Sequence, residues 1–443
     1  MNDRIYPEEH DQAELTSVPD SSSGQIPMAV IPSEEKSATF SLKKTFTALQ
    51  YPNYKLWFFG QMISLLGTWM QATAQGFLVF ELTKSPVYLG YVGFAYGVPT
   101  WLFTLYGGVL ADRIPRRKML IITQSVMMVL AAILATLTFS GLVQPWHIII
   151  LAFLLGTANA FDAPSRQAFV NELVDKKDLT NAIALNATMF NVATATGPAI
   201  AGGTYALFGP AWCFTINAIS FIGVIVALLM MNIKNEISYV RNGKSPVHEL
   251  KEGLKYVLHH KIIRTMIMMV GVVSLFGISF ATLLPAWAVK VLHGDATTNG
   301  LLQSGRGIGA LISALIIASL GRFHFRGKLW TAGSLIFPTM MFIFAFMRLF
   351  PLSFILMIGI GFGLILVFNL ANAMVQTLVE DSLRGRVMGI YTFIFFGFMP
   401  IGSLLMGTLA EYFSEPIAVI TGAITTFVCS IIVYLTVPQI RKH

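Results

Sequence analysis

The chain has 443 residues, 55% of them apolar and only 12% charged, with a formal net charge of +8. An ordinary soluble domain carries about 25% charged residues, so this composition excludes a water-solvated globule and makes lipid the main solvent. Two cysteines, Cys213 and Cys429, both in or beside apolar runs, exclude a disulfide framework and a cysteine-built metal site.

Residues 1–39 are acidic and rich in Ser and Pro, a composition that stays disordered, and they hold neither the apolar core nor the cleavage site of a removable signal peptide. From Phe40 to Tyr54, Lys43 and Lys44 stand beside Phe46 and Leu49, which predicts a short helix lying on the membrane surface. Twelve apolar runs follow. Crossing roughly 30 Å of hydrocarbon as a helix takes about 20 residues. The runs fall near 57–80, 88–111, 119–140, 146–162, 184–208, 212–231, 266–289, 299–320, 330–349, 352–374, 388–410 and 417–437. The expected architecture is an all-α membrane protein of twelve transmembrane helices. Its parts are a tail with an interfacial helix (1–54), six spans (55–231), a central loop (232–264), six more spans (265–437) and a short tail (438–443).

Charge orients the chain. Of the 30 Lys and Arg, 26 lie on the side that holds the N-terminus; the exceptions are Lys84, Lys290 and Arg348 on the other side and Arg306 within span eight. Basic residues gather in cytoplasmic loops, which places both termini in the cytoplasm and makes the basic balance a matter of topology rather than of nucleic-acid binding.

The central loop separates two related halves. Arg113 and Arg117 after span two recur as Arg322 and Arg326 after span eight, an offset of 209. Asn159, Asp162 and Arg166 at the end of span four recur as Asn369, Asn372 and Gln376 at the end of span ten, an offset of 210. Paired six-span repeats with a substrate site between them near the midplane are a common plan of secondary transporters.

Function must be read from what is polar inside the hydrocarbon. In span one, Gln61, Ser64, Thr68, Gln71 and Gln75 recur every three or four residues, so they share one helical face. That face suits a water-filled cavity, or else hydrogen bonding between helices. Asn159 with Asp162, and Asn369 with Asn372, continue such a cavity towards the cytoplasm. Arg306 is the odd charge, since an unpaired cation within a span costs roughly 2.5–3.5 kcal/mol on insertion scales; an anionic substrate group or a neighbouring polar side chain must offset it. For proton coupling a carboxylate must reach both cavity and water. The candidates are Asp162, which pairs with Arg113 or Arg166 if it serves the gate instead, and Glu81 at the outer end of span one.

Span two closes and span three opens on Gly108, Asp112, Arg113, Pro115, Arg116, Arg117 and Lys118. This resembles the GxxxDRxGRR loop of the major facilitator superfamily, with Pro115 where that family usually has Gly. Gly108 lets two helices approach closely. The resemblance implies a cytoplasmic gate in which Asp112 and the arginines pair, or cap helix ends, while the gate is shut. The second-half loop, Gly321–Lys328, keeps its bases without an acid. In span five, Gly197, Pro198, Gly202 and Gly203 resemble the GPxxGG element that marks exporters of the superfamily. Its proline removes a helix hydrogen bond and its glycines thin the helix for close packing.

The stretches NYKLWFFGQMISLLGTWMQ at 53–71 and LTKSPVYLG at 82–90, with DAPSRQAFVNELV, NAIALN and FN between 162 and 191, resemble the proton-coupled drug-exporter branch. That branch includes the enterobactin exporter and macrolide efflux proteins. Its members often have arginine where this chain has Thr194, so no role of that arginine carries over. The resemblance implies the major facilitator fold, two six-helix bundles rocking around a central site, and export of a small amphipathic or aromatic molecule of drug or siderophore type in exchange for protons. A lysophospholipid flippase and a non-transporting membrane sensor are the alternatives. No phosphate-binding loop for ATP is present, HELKE at 248–252 lacks the second histidine of a zinc helix, and no nucleophile motif occurs, so neither an enzyme nor a cofactor or metal is expected. The expected partners are the small-molecule substrate, protons and the lipid bilayer, with no nucleic acid, and the chain is expected to be a monomer in the inner membrane.

Overall fold

The computed structural model describes residues 46–111, 114–233, 246–320 and 325–442, excepting the side chains of 104–111 and 246–250. Among the described residues all regular structure is helical. A first half comprises α1 (Pro52–Thr83), α2 (Pro86–Ala111), α3 (Arg116–Phe139), α4 (Pro145–Leu173), α5 (Leu179–Phe208) and α6 (Pro210–Met230). After α7 (Pro246–His259) comes α8, which starts at Lys261 and runs to Val291. Then follow α9 (Ala296–Leu320), α10 (Arg326–Phe346), α11 (Phe350–Leu378), α12 (Arg384–Tyr412) and α13 (Glu415–Thr436). Proline stands in the first turn of α1, α4, α6, α11 and α13, where its missing N–H would have had no partner anyway.

Nine of the described helices, α3, α4, α6 and α8 to α13, are long and apolar enough to cross a bilayer. The equally long α1, α2 and α5 are interspersed with Gln, Tyr, Thr, Asn and Gly. In the first half α1 packs on α5 and α6, α2 on α4, and α3 on α4 and α6; in the second, α11 packs on α9 and α10, α10 on α13, and α12 on α8.

Two seams join the halves, α2 with α12 and α5 with α9. Both are made by glycine. A Cβ on Gly307 would lie 2.6 Å from the Cα of Ala195, and one on Gly202 would lie 2.8 Å from the carbonyl oxygen of Ala296. Across the other seam, a Cβ on Gly90 would lie 2.8 Å from the Ser403 carbonyl oxygen, and Gly97 abuts the Pro400 ring. Lipid tails are as apolar as leucine, so helices in a bilayer gain from close backbone packing rather than from burying apolar surface, and small residues allow it.

The seams lie towards one face of the molecule. Their tightest contacts use the first half of α2 and α9 and the second half of α5 and α12. The opposite, basic face gathers the other helix ends: Asn53 Nδ2 donates to the Asn232 carbonyl at 3.0 Å, Lys261 Nζ to the Thr436 carbonyl at 3.0 Å, and Arg386 pairs with Glu252 at 2.5 Å.

Three local expectations change. Helix α4 continues to Leu173, well past the expected end at 162, because beyond its apolar run it stays amphipathic: Phe169, Val170 and Leu173 are buried and Phe169 meets Trp57 edge-on at 5.3 Å. Asp162 therefore lies inside a helix rather than at its end. The central loop contains α7, held to α12 by the Glu252–Arg386 pair, and α8 already begins at Lys261. Of the expected interfacial helix, residues 40–45 lie outside the described residues. The remainder is a short 3₁₀ turn, Thr47–Gln50, docked on protein. The Ala48 N–H donates to Asn181 Oδ1 at 2.8 Å and the Tyr51 hydroxyl to Asp178 at 2.7 Å. The bond to Asp178 pushes the Tyr51 phenol up to about 12.

Candidate functional site

A cavity of about 230 Å³ lies between the halves, alongside the seams. From α1 it takes Thr68, Gln71 and Gln75; Tyr96 comes from α2, Asn159 from α4, Asn217 and Phe221 from α6, Thr282 and Pro285 from α8, and Gln303 from α9. The lining is mostly apolar with amide and hydroxyl groups interspersed and no charged side chain, a composition that suits an amphipathic ligand.

The polar stripe of α1 is thus divided. Thr68, Gln71 and Gln75 line the cavity, whereas Gln61 and Ser64, each 1% exposed, are buried nearer the basic face and do not line it. Asn217 supports the stripe from α6: its Nδ2 donates to Gln71 Oε1 at 2.6 Å, and the Ser220 hydroxyl donates to the Asn217 carbonyl at 2.7 Å. Gly67 makes room, since a Cβ there would lie 2.5 Å from both Asn217 Oδ1 and Ser220 Oγ. Sequence reasoning passed over Asn217, although it is the only side-chain amide in α6. It also passed over Gln303, an amide one turn from Arg306.

Asp162, 1% exposed, sits one turn from the cavity residue Asn159. Its Oδ1 accepts from Thr123 Oγ1 and Gln124 Nε2 of α3, both at 2.8 Å, and its Oδ2 faces Arg166 Nε at 3.7 Å. This carboxylate is solvated by protein. Arg306, near the middle of α9, is treated differently: its Nε is buried and has no hydrogen-bond partner.

At the basic face, Arg116 pairs with Glu172 of α4 at 2.5 Å. Arg117 caps α6, its Nε donating to the Leu228 carbonyl at 2.7 Å and its Nη2 to that of Leu229 at 2.9 Å. A cation at a helix C-terminus satisfies carbonyls that lack partners and opposes the negative end of the dipole. Gly108 lies within α2, while Asp112 and Arg113 lie outside the described residues. In the second half, Gln376 Nε2 donates to Asn372 Oδ1 at 2.6 Å and Asn369 is exposed; neither Asn369 nor Asn372 lines the cavity. Glu81, exposed at the face away from the basic one, accepts from the Tyr205 hydroxyl.

The span-five motif falls on helix contacts. A Cβ on Gly197 would lie 2.7 Å from Trp69 Cβ of α1, the Pro198 carbonyl touches Gly300, and Gly202 meets the start of α9. Gly203 has open space. Among the described residues no group of three or more His, Cys, Asp or Glu side chains could hold a metal ion.

A bundle of long apolar helices enclosing a polar-spotted cavity between two halves defines a multi-pass membrane transporter, not an enzyme. Residues 43–442 match the family described as transmembrane secretion effector, and the chain belongs to that family of the major facilitator superfamily. Over 360 residues it is 28% identical to the Staphyloferrin A transporter of Staphylococcus aureus (strain NCTC 8325 / PS 47), covering 81% of this chain and 90% of that one. Macrolide efflux protein A of Streptococcus pyogenes is 23% identical, with 89% and 98% covered. Among solved structures, a POT family transporter in complex with 5-aminolevulinic acid superimposes with a TM-score of 0.70 at 12% identity, covering 88% and 97%. A bacterial homolog of the human lysosomal transporter Spinster, inward-facing and unoccupied, gives 0.67 at 10% identity, covering 90% and 97%.

Proposed function

We propose that this chain is a secondary active exporter of the inner membrane, with twelve spanning helices in two pseudo-symmetric six-helix bundles and both termini in the cytoplasm. It moves a small amphipathic or aromatic molecule of drug or siderophore type by alternating access. The observation that carries this reading is the cavity itself: both halves line it, and the two glycine seams close the halves together on the side away from the basic face. Rocking the halves about it exchanges the side from which it is reached. The names of the relatives, a siderophore transporter and a macrolide efflux protein, support the substrate class and direction. The amide and hydroxyl lining weighs against a lipid flippase.

Proton antiport supplies the drive in this reading. Asp162 is the proton carrier in this reading: it lies one turn from the cavity, and Thr123, Gln124 and Arg166 surround its carboxylate. The test is efflux of macrolides, catecholate siderophores and fluorescent dyes from proteoliposomes, with and without an imposed proton gradient. Gradient-driven movement in the wild type, lost in Asp162→Asn, is the expected result. Movement of lysophospholipid alone hands the chain to the flippase reading, and an unchanged gradient response in Asp162→Asn removes Asp162 as the carrier.

A further inference from the structure

Helix α9 presents four edges, and three are accounted for. At about 100° per residue, Gly300 and Gly307 fall on one edge and touch Pro198 and Ala195 of α5. Gly305 and Gly309 fall on the opposite edge and touch Phe354 and Ile358 of α11. Ile312 and Leu315 point outward and are exposed, as lipid-facing residues are. The remaining edge, between the two glycine rows and away from lipid, carries Asn299, Gln303 and Arg306. Gln303 lines the cavity, and Arg306 lies one turn nearer the basic face.

This strip has more donors than acceptors. Gln303 Nε2 donates to Asn299 Oδ1 at 3.2 Å, while Asn299 Nδ2 and Arg306 Nε are buried without partners. No ion pair among the described residues includes Arg306. A guanidinium at mid-span with no counterion among the described residues and a buried, unpaired Nε leaves room for a negative charge from elsewhere, and a protein that binds and releases cargo has one such source. The complement of a planar, forked cation beside amide donors is a carboxylate, whose two oxygens match the fork.

Resting on the exporter reading above, we propose that the cargo is an amphipathic carboxylate and that Arg306 binds its charged end on the way from the basic face to the cavity, where the apolar lining takes the remainder. Two consequences follow. Neutral or esterified analogues bind poorly, and each cycle moves negative charge outward, so a membrane potential negative inside assists export.

The test uses the full chain in nanodiscs and measures thermal unfolding of the wild type, R306M and R306K with 2-naphthoate and with 2-naphthamide, which share their rings and differ in charge. If Arg306 waits for a ligand, R306M unfolds above the wild type without ligand, because a cation with a buried, unpaired Nε has been removed. Naphthoate raises the wild-type midpoint and naphthamide does not; R306K keeps part of that difference and R306M none. A midpoint for R306M below the wild type means that the protein itself partners the arginine, which overturns the proposal. So do equal responses of the wild type to the two probes, a response from neither included. Both readouts are taken without transport, so they stand or fall separately from the vesicle efflux that tests the exporter reading.

Discussion

Asp162 and Arg306 are both charged side chains near the middle of long helices, and the protein treats them in opposite ways. Asp162 is enclosed by α3, with two hydrogen bonds at 2.8 Å and Arg166 at 3.7 Å. Arg306 has a buried Nε with no partner. The difference separates two kinds of charge within a membrane. One has its partners within the protein; the other has a buried nitrogen that no described residue satisfies.

That comparison is broken most directly at Asp162. Asp162→Leu leaves Arg166 and two donors facing an apolar side chain, and removing one member of a buried pair destabilises by about 3–5 kcal/mol. Chemical unfolding in mixed micelles measures it. A loss of less than about 1 kcal/mol would show that α3 does not solvate the carboxylate as the distances say. Gly300→Val comes next. Its Cβ alone would lie 2.3 Å from the Pro198 carbonyl oxygen and 3.0 Å from the Cα of Gly202, and overpacking of this kind costs about 1–3 kcal/mol. Because the strain exists only while the seam is shut, the variant shifts the population toward the state open on that side, read as increased labelling of a cysteine placed at Thr297. Unchanged labelling would mean that the seam is not part of the moving contact. The smallest effect belongs to Asn217→Leu, which leaves the buried Gln71 amide without its partner at about 1–2 kcal/mol. It also weakens retention of polar cargo, and the comparison is sharpened if binding of apolar dyes is retained.

The helical architecture was legible because hydrophobic length is a one-dimensional signal. Each predicted run overlaps an observed helix from α1 to α6 and from α8 to α13, and the apolar stretch alone located them. Their true ends were not legible, since α4 from Asp162 to Leu173 is amphipathic and its buried face is seen only once Trp57 is placed against Phe169. The α7 helix was lost in the same way inside a polar loop. For the site, period alone placed Gln71 and Gln75 on one face but could not say that Gln61 and Ser64, on that same face, end in a packed region of the molecule. Arg306 was visible as an anomaly from its charge; its isolation required knowing which neighbours α9 presents to α5 and α11. The seams were half visible, in that Pro198 and Gly202 announce close packing while their partner in α9, Gly300, stands in no recognised motif.

Helix α8 is built unlike its neighbours. It passes from regular α to a wide π segment at Val273–Ile278, a tight 3₁₀ segment at Ser279–Leu283, a short α stretch at Leu284–Ala286 and a second π segment at Trp287–Val291. Five residues at the 3₁₀ rise of about 2.0 Å rather than the α rise of about 1.5 Å occupy about 2.5 Å of extra length. The wider π segments on either side rise less per residue and offset that length. Its far end is tethered by Lys290 to Glu415 at 3.0 Å, and its 3₁₀ and short α segments supply Ala281, Thr282 and Pro285 to the cavity wall. The cavity is therefore bordered on this side by a helix of mixed winding rather than by a regular α-helix.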